Sequence, residues 1–95
     1  MIENVQAGNT VRLTCKFYDP NGFLTSPTSV RLIIYDYRYQ KLEEFTLNET
    51  NQLTAGTYYF DYATNTNEQK YIFEWYGLIG GFPSIKRDSF TTFFM

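Results

Sequence analysis

The sequence predicts an all-β sandwich of six or seven strands, and two observations carry that reading. One fifth of the 95 residues are aromatic, and the aromatics alternate in short runs closed by turn residues, clearest in Ala55-Gly56-Thr57-Tyr58-Tyr59-Phe60-Asp61-Tyr62 and Tyr71-Ile72-Phe73-Glu74-Trp75-Tyr76-Gly77. A two-residue period puts Tyr58, Phe60 and Tyr62 on one face of a strand and Tyr71, Phe73 and Trp75 on one face of another, so two sheets can bury these faces against each other. Turn clusters recur at the spacing of a sandwich, and no segment has a helical period.

The elements follow in order. Asn9 to Tyr18 alternates cleanly, with Val11, Leu13, Cys15 and Phe17 inward and Arg12, Thr14 and Lys16 outward. Asp19-Pro20-Asn21-Gly22 reads as a turn, because proline presets one φ and Asn-Gly accepts positive φ; Ser26-Pro27-Thr28-Ser29 closes the connection. Val30 to Tyr37 is the second strand, with Val30, Leu32 and Ile34 on one face and Arg31, Ile33, Tyr35 and Tyr37 on the other. Lys41 to Leu47 is a weaker strand anchored by Phe45 and Leu47, and Asn48 to Gln52 is polar and turn-like. Thr57 to Ala63 is the aromatic strand, Thr64 to Glu68 a turn, and Lys70 to Tyr76 the Trp-bearing strand, in which Trp75 is expected between the sheets. Gly77 to Gly81 reads as a hairpin connection, and Pro83 delays the last strand to Ile85 to Phe94. Residues 1–95 thus form a single domain with no repeat, linker or low-complexity tract.

Composition narrows the function. Eight basic and ten acidic residues give a net charge of −2 and no basic run along the chain, so nucleic acid is not an expected partner. A lone cysteine forms no internal bridge, and Cys15 alternates with Val11, Leu13 and Phe17, which marks a buried, inert thiol. The N-terminus lacks the basic start and apolar run of a signal peptide, and no stretch reaches the length of a membrane span, so the chain is expected to be made in a cytoplasm with no membrane partner.

The residues offer little for catalysis. With no histidine there is neither a Ser-His-acid triad nor an imidazole metal site, and one cysteine makes no thiolate cluster. Glu43 and Glu44 are neighbours that point to opposite faces of a strand, whereas Glu74 and Asp61 can approach each other across strands or stand as solvent-side charges. Asp19 to Gly22 supplies too few ligands for calcium, and Gly77 to Gly81 lacks the helix and lysine of a phosphate cradle. Asn48-Glu49-Thr50 fits a glycosylation acceptor but occurs without a secretion signal and reads as chance. No enzyme, no catalytic residue, no metal and no cofactor is expected.

Taken in order, Asp19-Pro20-Asn21-Gly22, Pro27 to Asp36, Gly56 to Tyr62, Phe73-Glu74-Trp75-Tyr76-Gly77 and Asp88-Ser89-Phe90 give the chain a resemblance to immunoglobulin-like, macroglobulin-type β-sandwich modules of phage structural proteins and prokaryotic surface proteins. The resemblance covers most of the chain and implies an immunoglobulin-like antiparallel sandwich of about seven strands; its motifs specify the sandwich and not a function. Such modules commonly occur in tandem behind a signal peptide, whereas this sequence is one module running from Met1 to Phe93-Phe94-Met95, a departure that points to a free-standing virion component.

The outward-facing set is the functional signal. Ile33, Tyr35, Tyr37 and Tyr39, with Tyr59, Ile72 and Tyr76, exceed what one core uses. Tyrosine is a good strand former that tolerates water, yet its recurrence on three strands favours an interface, where a large ring and a satisfiable hydroxyl both count. In the tail, alternation buries Phe90, Thr92 and Phe94 and leaves Phe93 and Met95 to meet a neighbour. The expected interface residues are therefore Ile33, Tyr35, Tyr37, Tyr59, Ile72, Tyr76 and Phe93. The expected function is non-enzymatic assembly in a phage virion, as a capsid decoration or minor capsid component bound to the major capsid protein, to a connector or to a second copy of the chain. A head-to-tail connector or tail component, and a carbohydrate-binding adhesive module, are the alternatives.

Overall fold

A computed structural model describes residues 5–65 and 67–93. Eight strands follow one another: β1 (Val5–Gln6), β2 (Thr10–Lys16), β3 (Thr28–Tyr35), β4 (Lys41–Thr46), β5 (Gln52–Thr54), β6 (Thr57–Ala63), β7 (Lys70–Ile79) and β8 (Phe82–Phe93). They form two sheets, β1-β8-β7-β3-β4 and β2-β6-β5. All neighbours are antiparallel except β1 and β8, which run parallel with Val5 opposite Thr92. The result is an all-β sandwich of a five-stranded and a three-stranded sheet.

The two sheets meet over one apolar layer, built as the period of two dictates. Val11, Leu13, Cys15 and Phe17 come from β2 and the residue after it, Val30, Leu32 and Ile34 from β3, and Tyr71, Phe73 and Trp75 from β7, joined by Tyr58, Tyr62, Leu47 and Phe90. Trp75 is only 1% exposed, as its strand face requires. Its rings pack in specific pairs: Tyr71 stacks on Phe90 at 5.0 Å between centroids and meets Tyr62 edge-on at 5.7 Å. Aromatic pairs of this kind add to area burial, which is how a domain of this size holds without a disulfide.

Several boundaries differ from the sequence reading, each for a local reason. There are eight strands because β1 and β5, two and three residues long, are too short to leave a periodic signal. The first long strand ends at Lys16; Tyr18 makes only an isolated bridge to Leu24, since Asp19 Oδ1 accepts from the backbone N–H groups of Asn21 and Phe23 and bends the chain. In the same way Asp36 Oδ1 accepts from Arg38 N and Gln40 N, so β3 stops at Tyr35 and Tyr37 stands in a turn. Glu49–Asn51 is a 3-10 turn capped by Asn48, whose Oδ1 accepts from Thr50 N. That gives Asn48 and Thr50 a structural role.

The last hairpin is longer than Gly77 to Gly81 and Pro83 implied. β7 continues to Ile79, the turn is Gly80-Gly81 alone with both φ values positive (59° and 83°), and β8 begins at Phe82. Pro83 is tolerated because, opposite Leu78, it sits where β8 is hydrogen-bonded on one side only; β1 joins β8 at Thr92–Phe93. Gly77 faces inward, where a Cβ would lie 2.9 Å from Pro27 and 3.0 Å from Phe17. Phe94 and Met95, expected to be buried and exposed respectively, lie outside the described residues.

Candidate functional site

The outer face of the larger sheet can be read as cross-strand rows from its register. One row runs Thr46, Arg31, Tyr76, Ile85; the next Glu44, Ile33, Glu74, Arg87; and beyond it Tyr35, Ile72 and Ser89 lie side by side. Of the seven residues expected at an interface, this face brings together Ile33, Tyr35, Ile72 and Tyr76. The other three stand apart: Tyr37 in the β3–β4 turn, Tyr59 on the outer face of the smaller sheet, and Phe93 at the end of β8 beside β1.

On this face the apolar residues are interleaved with the chain's own charges. Ile33 and Ile72 are 8% and 6% exposed, so neighbouring side chains already cover them. Glu74, also buried, accepts from the Arg87 guanidinium and from the Tyr35 hydroxyl at 3.4 Å. Arg31 lies over the Tyr76 ring at 4.4 Å from its centroid and pairs with Glu44 at 3.3 Å. Glu44 also binds Lys41 at 3.0 Å, and hydrogen bonds from Lys41 first and Arg31 second hold its carboxyl below the usual range. The smaller sheet repeats the device: Arg12 covers the Tyr59 ring at 4.4 Å and forks onto Asp61 at 2.8 and 3.0 Å, which lowers the Asp61 carboxyl chiefly through that hydrogen bond. Asp61 and Glu74 are thus on different sheets, each with its own arginine, and form no carboxylate pair.

Arginine cover thins out toward the β7–β8 turn. There the rows Tyr76–Ile85 and Leu78–Pro83 lie adjacent on the outer face, whereas Phe82, paired with the core-facing Ile79, takes the inner side of the hairpin and is 76% exposed. A shallow depression of about 280 Å³ joins this end to Tyr18, Asp19 and Pro20, and the same loop carries Phe23, 70% exposed. Sequence reasoning missed Phe82, Ile85 and Phe23 as surface candidates because it counted tyrosines on strands; the signal available was two phenylalanines directly after glycine turns, Gly22-Phe23 and Gly81-Phe82, at chain reversals where few neighbours can bury a ring.

No group of three or more acidic or cysteine side chains that could hold a metal ion occurs among the described residues, and no helix of theirs is long and apolar enough to cross a membrane. Cys15 is buried and its thiol is pushed up to about 11 by desolvation, opposed by the charge of Lys86. No protein-family model, no curated protein and no solved structure matches the chain.

Proposed function

We propose that the chain is a non-enzymatic assembly module whose docking surface is the end of the β7–β8 hairpin, with Tyr76, Ile85, Leu78 and Pro83 on its outer face and Phe82 on its inner side. One observation supports it above the rest: large apolar side chains cluster at this end, Tyr76 and Ile85 beside Leu78 and Pro83 in adjacent cross-strand rows on one face and Phe82, 76% exposed, on the other, where single scattered aromatics would need no explanation. Tyr35, on the outer face, extends the surface toward the β3–β4 turn. On the motif resemblance we read the module as a structural component of a phage virion, a capsid decoration or minor capsid protein that binds another virion protein or a second copy of itself.

Incorporation into particles tests this. A Tyr76→Ser, Ile85→Ser double variant should keep its circular dichroism spectrum and lose roughly 2–4 kcal/mol of association, because interface energy concentrates in a few large anchors. A folded double variant that enters particles at the wild-type copy number removes the hairpin end from the assembly surface, and absence of the wild-type chain from particles removes the virion reading.

A further inference from the structure

The side of the sandwich between β2 and β8 is open. β2 is the end strand of the smaller sheet, with β6 as its one partner among the described residues. Phe17 N donates to Gly56 O at 2.8 Å and Thr64 N to Asn9 O at 3.1 Å, so the odd-numbered residues of this ladder turn their backbone groups toward β6. Arg12, Thr14 and Lys16 turn theirs away from it, toward the open side. Lys16 O, one of these groups, accepts from Lys86 Nζ of β8 at 2.7 Å, which shows that the free edge faces β8.

A cleft of about 420 Å³ lies between the two strands, with Phe73 and Trp75 among its lining residues. Four of the eight basic residues line it, Arg12, Lys16, Lys86 and Arg87, with Asp88 as the single acid; Arg12 and Arg87 are paired with Asp61 and Glu74, so the charge offered to a ligand rests on Lys16 and Lys86. This concentration occurs in a chain whose net charge is −2, and it is invisible along the sequence because the two pairs are some seventy positions apart, Lys16 and Lys86 being separated by 70 residues. Trp75, at 1% exposure, brings an indole Nε1 that is buried without a hydrogen-bond partner among the described residues, a group that ordinarily finds one.

We infer that this cleft binds an acidic, extended peptide segment of a partner protein by strand addition to the free edge of β2. The edge supplies backbone donors and acceptors in the spacing of a strand, which gives affinity independent of side chains. The ammonium groups of Lys16 and Lys86 favour carboxylates on that segment, since Arg12 and Arg87 already pair with Asp61 and Glu74, and long-range attraction speeds the encounter. The surface is separate from the β7–β8 hairpin end, and this inference does not rest on the virion reading.

The probe is a fluorescein-labelled peptide of alternating glutamate and valine, titrated at low salt and followed by anisotropy, with an alternating lysine–valine peptide and oligothymidylate as comparisons. The acidic peptide should bind, slow amide exchange at Arg12 and Thr14, and lose at least about tenfold in affinity in the Lys16→Glu, Lys86→Glu variant, which should in turn favour the lysine peptide. Equal binding of the two peptides by wild-type protein, binding with unchanged exchange at Arg12 and Thr14, or oligothymidylate bound more tightly than the acidic peptide would each overturn the proposal. The exchange measurement uses wild-type protein alone, so the test survives a variant that does not fold.

Discussion

The two long sides of this sandwich are closed in opposite ways. On one side Phe45 of β4 stacks on Phe60 of β6 at 4.2 Å, and Tyr62 meets Phe45 at 6.3 Å, so aromatic rings bridge the sheets and seal the core. On the other, between β2 and β8, the bridging group is the Lys86 ammonium on Lys16 O, and an open cleft remains. The difference shows what a high aromatic content achieves here: rings seal a sandwich where they can meet, and where long cations replace them the edge stays accessible to another chain. The same contrast separates the strand surfaces, where Arg12 and Arg31 cover Tyr59 and Tyr76, from the hairpin end, where Phe82 is bare.

Removing the residue common to the core and the cleft should have the largest effect. Trp75→Ala leaves a cavity against both sheets and should cost about 3–5 kcal/mol, enough to unfold much of a marginally stable domain; a melting temperature equal to wild type would contradict its placement. Phe60→Ala should unlock the sealed side at a smaller cost, about 1–3 kcal/mol because the ring is only half buried, read as a shift of the urea midpoint. If the two sides were equally open already, that midpoint would not move.

Alkali should affect the two sides in sequence. Desolvation raises the Cys15 thiol on the open side from 9.0 to about 11, and raises the Tyr62 hydroxyl on the sealed side from 10.0 to about 12, with the charge of Glu43 as a second cause. In both groups the folded state favours the neutral form, so their contribution is fully present below the unfolded value and is lost as pH climbs through the folded one. The urea midpoint should therefore fall from about pH 9 upward, first through Cys15 and then through Tyr62. Cys15→Val should abolish the earlier part of the fall while leaving the later part. At neutral pH a thiol reagent should label Cys15 only as fast as the domain opens, and prompt labelling of folded protein would show that the cleft reaches the sulfur. The smallest effect belongs to Arg12→Ala, which uncovers a half-buried ring and breaks an exposed ion pair; the melting temperature should barely change, while Tyr59 becomes more reactive to surface oxidation.

The core was legible because a period of two needs no tertiary information: Val11, Leu13, Cys15 and Phe17, and Tyr71, Phe73 and Trp75, all point inward as the alternation requires. Thr57–Ala63 even matches to the residue, bounded by Gly56 and by the polar cluster that follows. Strand ends were less legible where an aspartate side chain redirects the backbone, as at Asp19 and Asp36, since a carboxylate that caps a turn looks in sequence like any surface charge. The surface was the least legible part. Counting tyrosines could not show that Arg12 and Arg31 lie over two of them, because those contacts join residues 47 and 45 positions apart, nor that Arg12, Lys16, Lys86 and Arg87 converge on one cleft. Alternation fixes which face a side chain takes, but strand order decides its neighbours.

The central claim, that the hairpin end is the docking surface, is tested most directly by hydroxyl-radical footprinting of the chain free and in purified particles, read residue by residue by mass spectrometry. The account predicts that Tyr76, Phe82 and Ile85 lose reactivity on incorporation while Tyr59, on the outer face of the other sheet, does not. Phe82 and Ile85 as reactive in particles as in the free protein would contradict it.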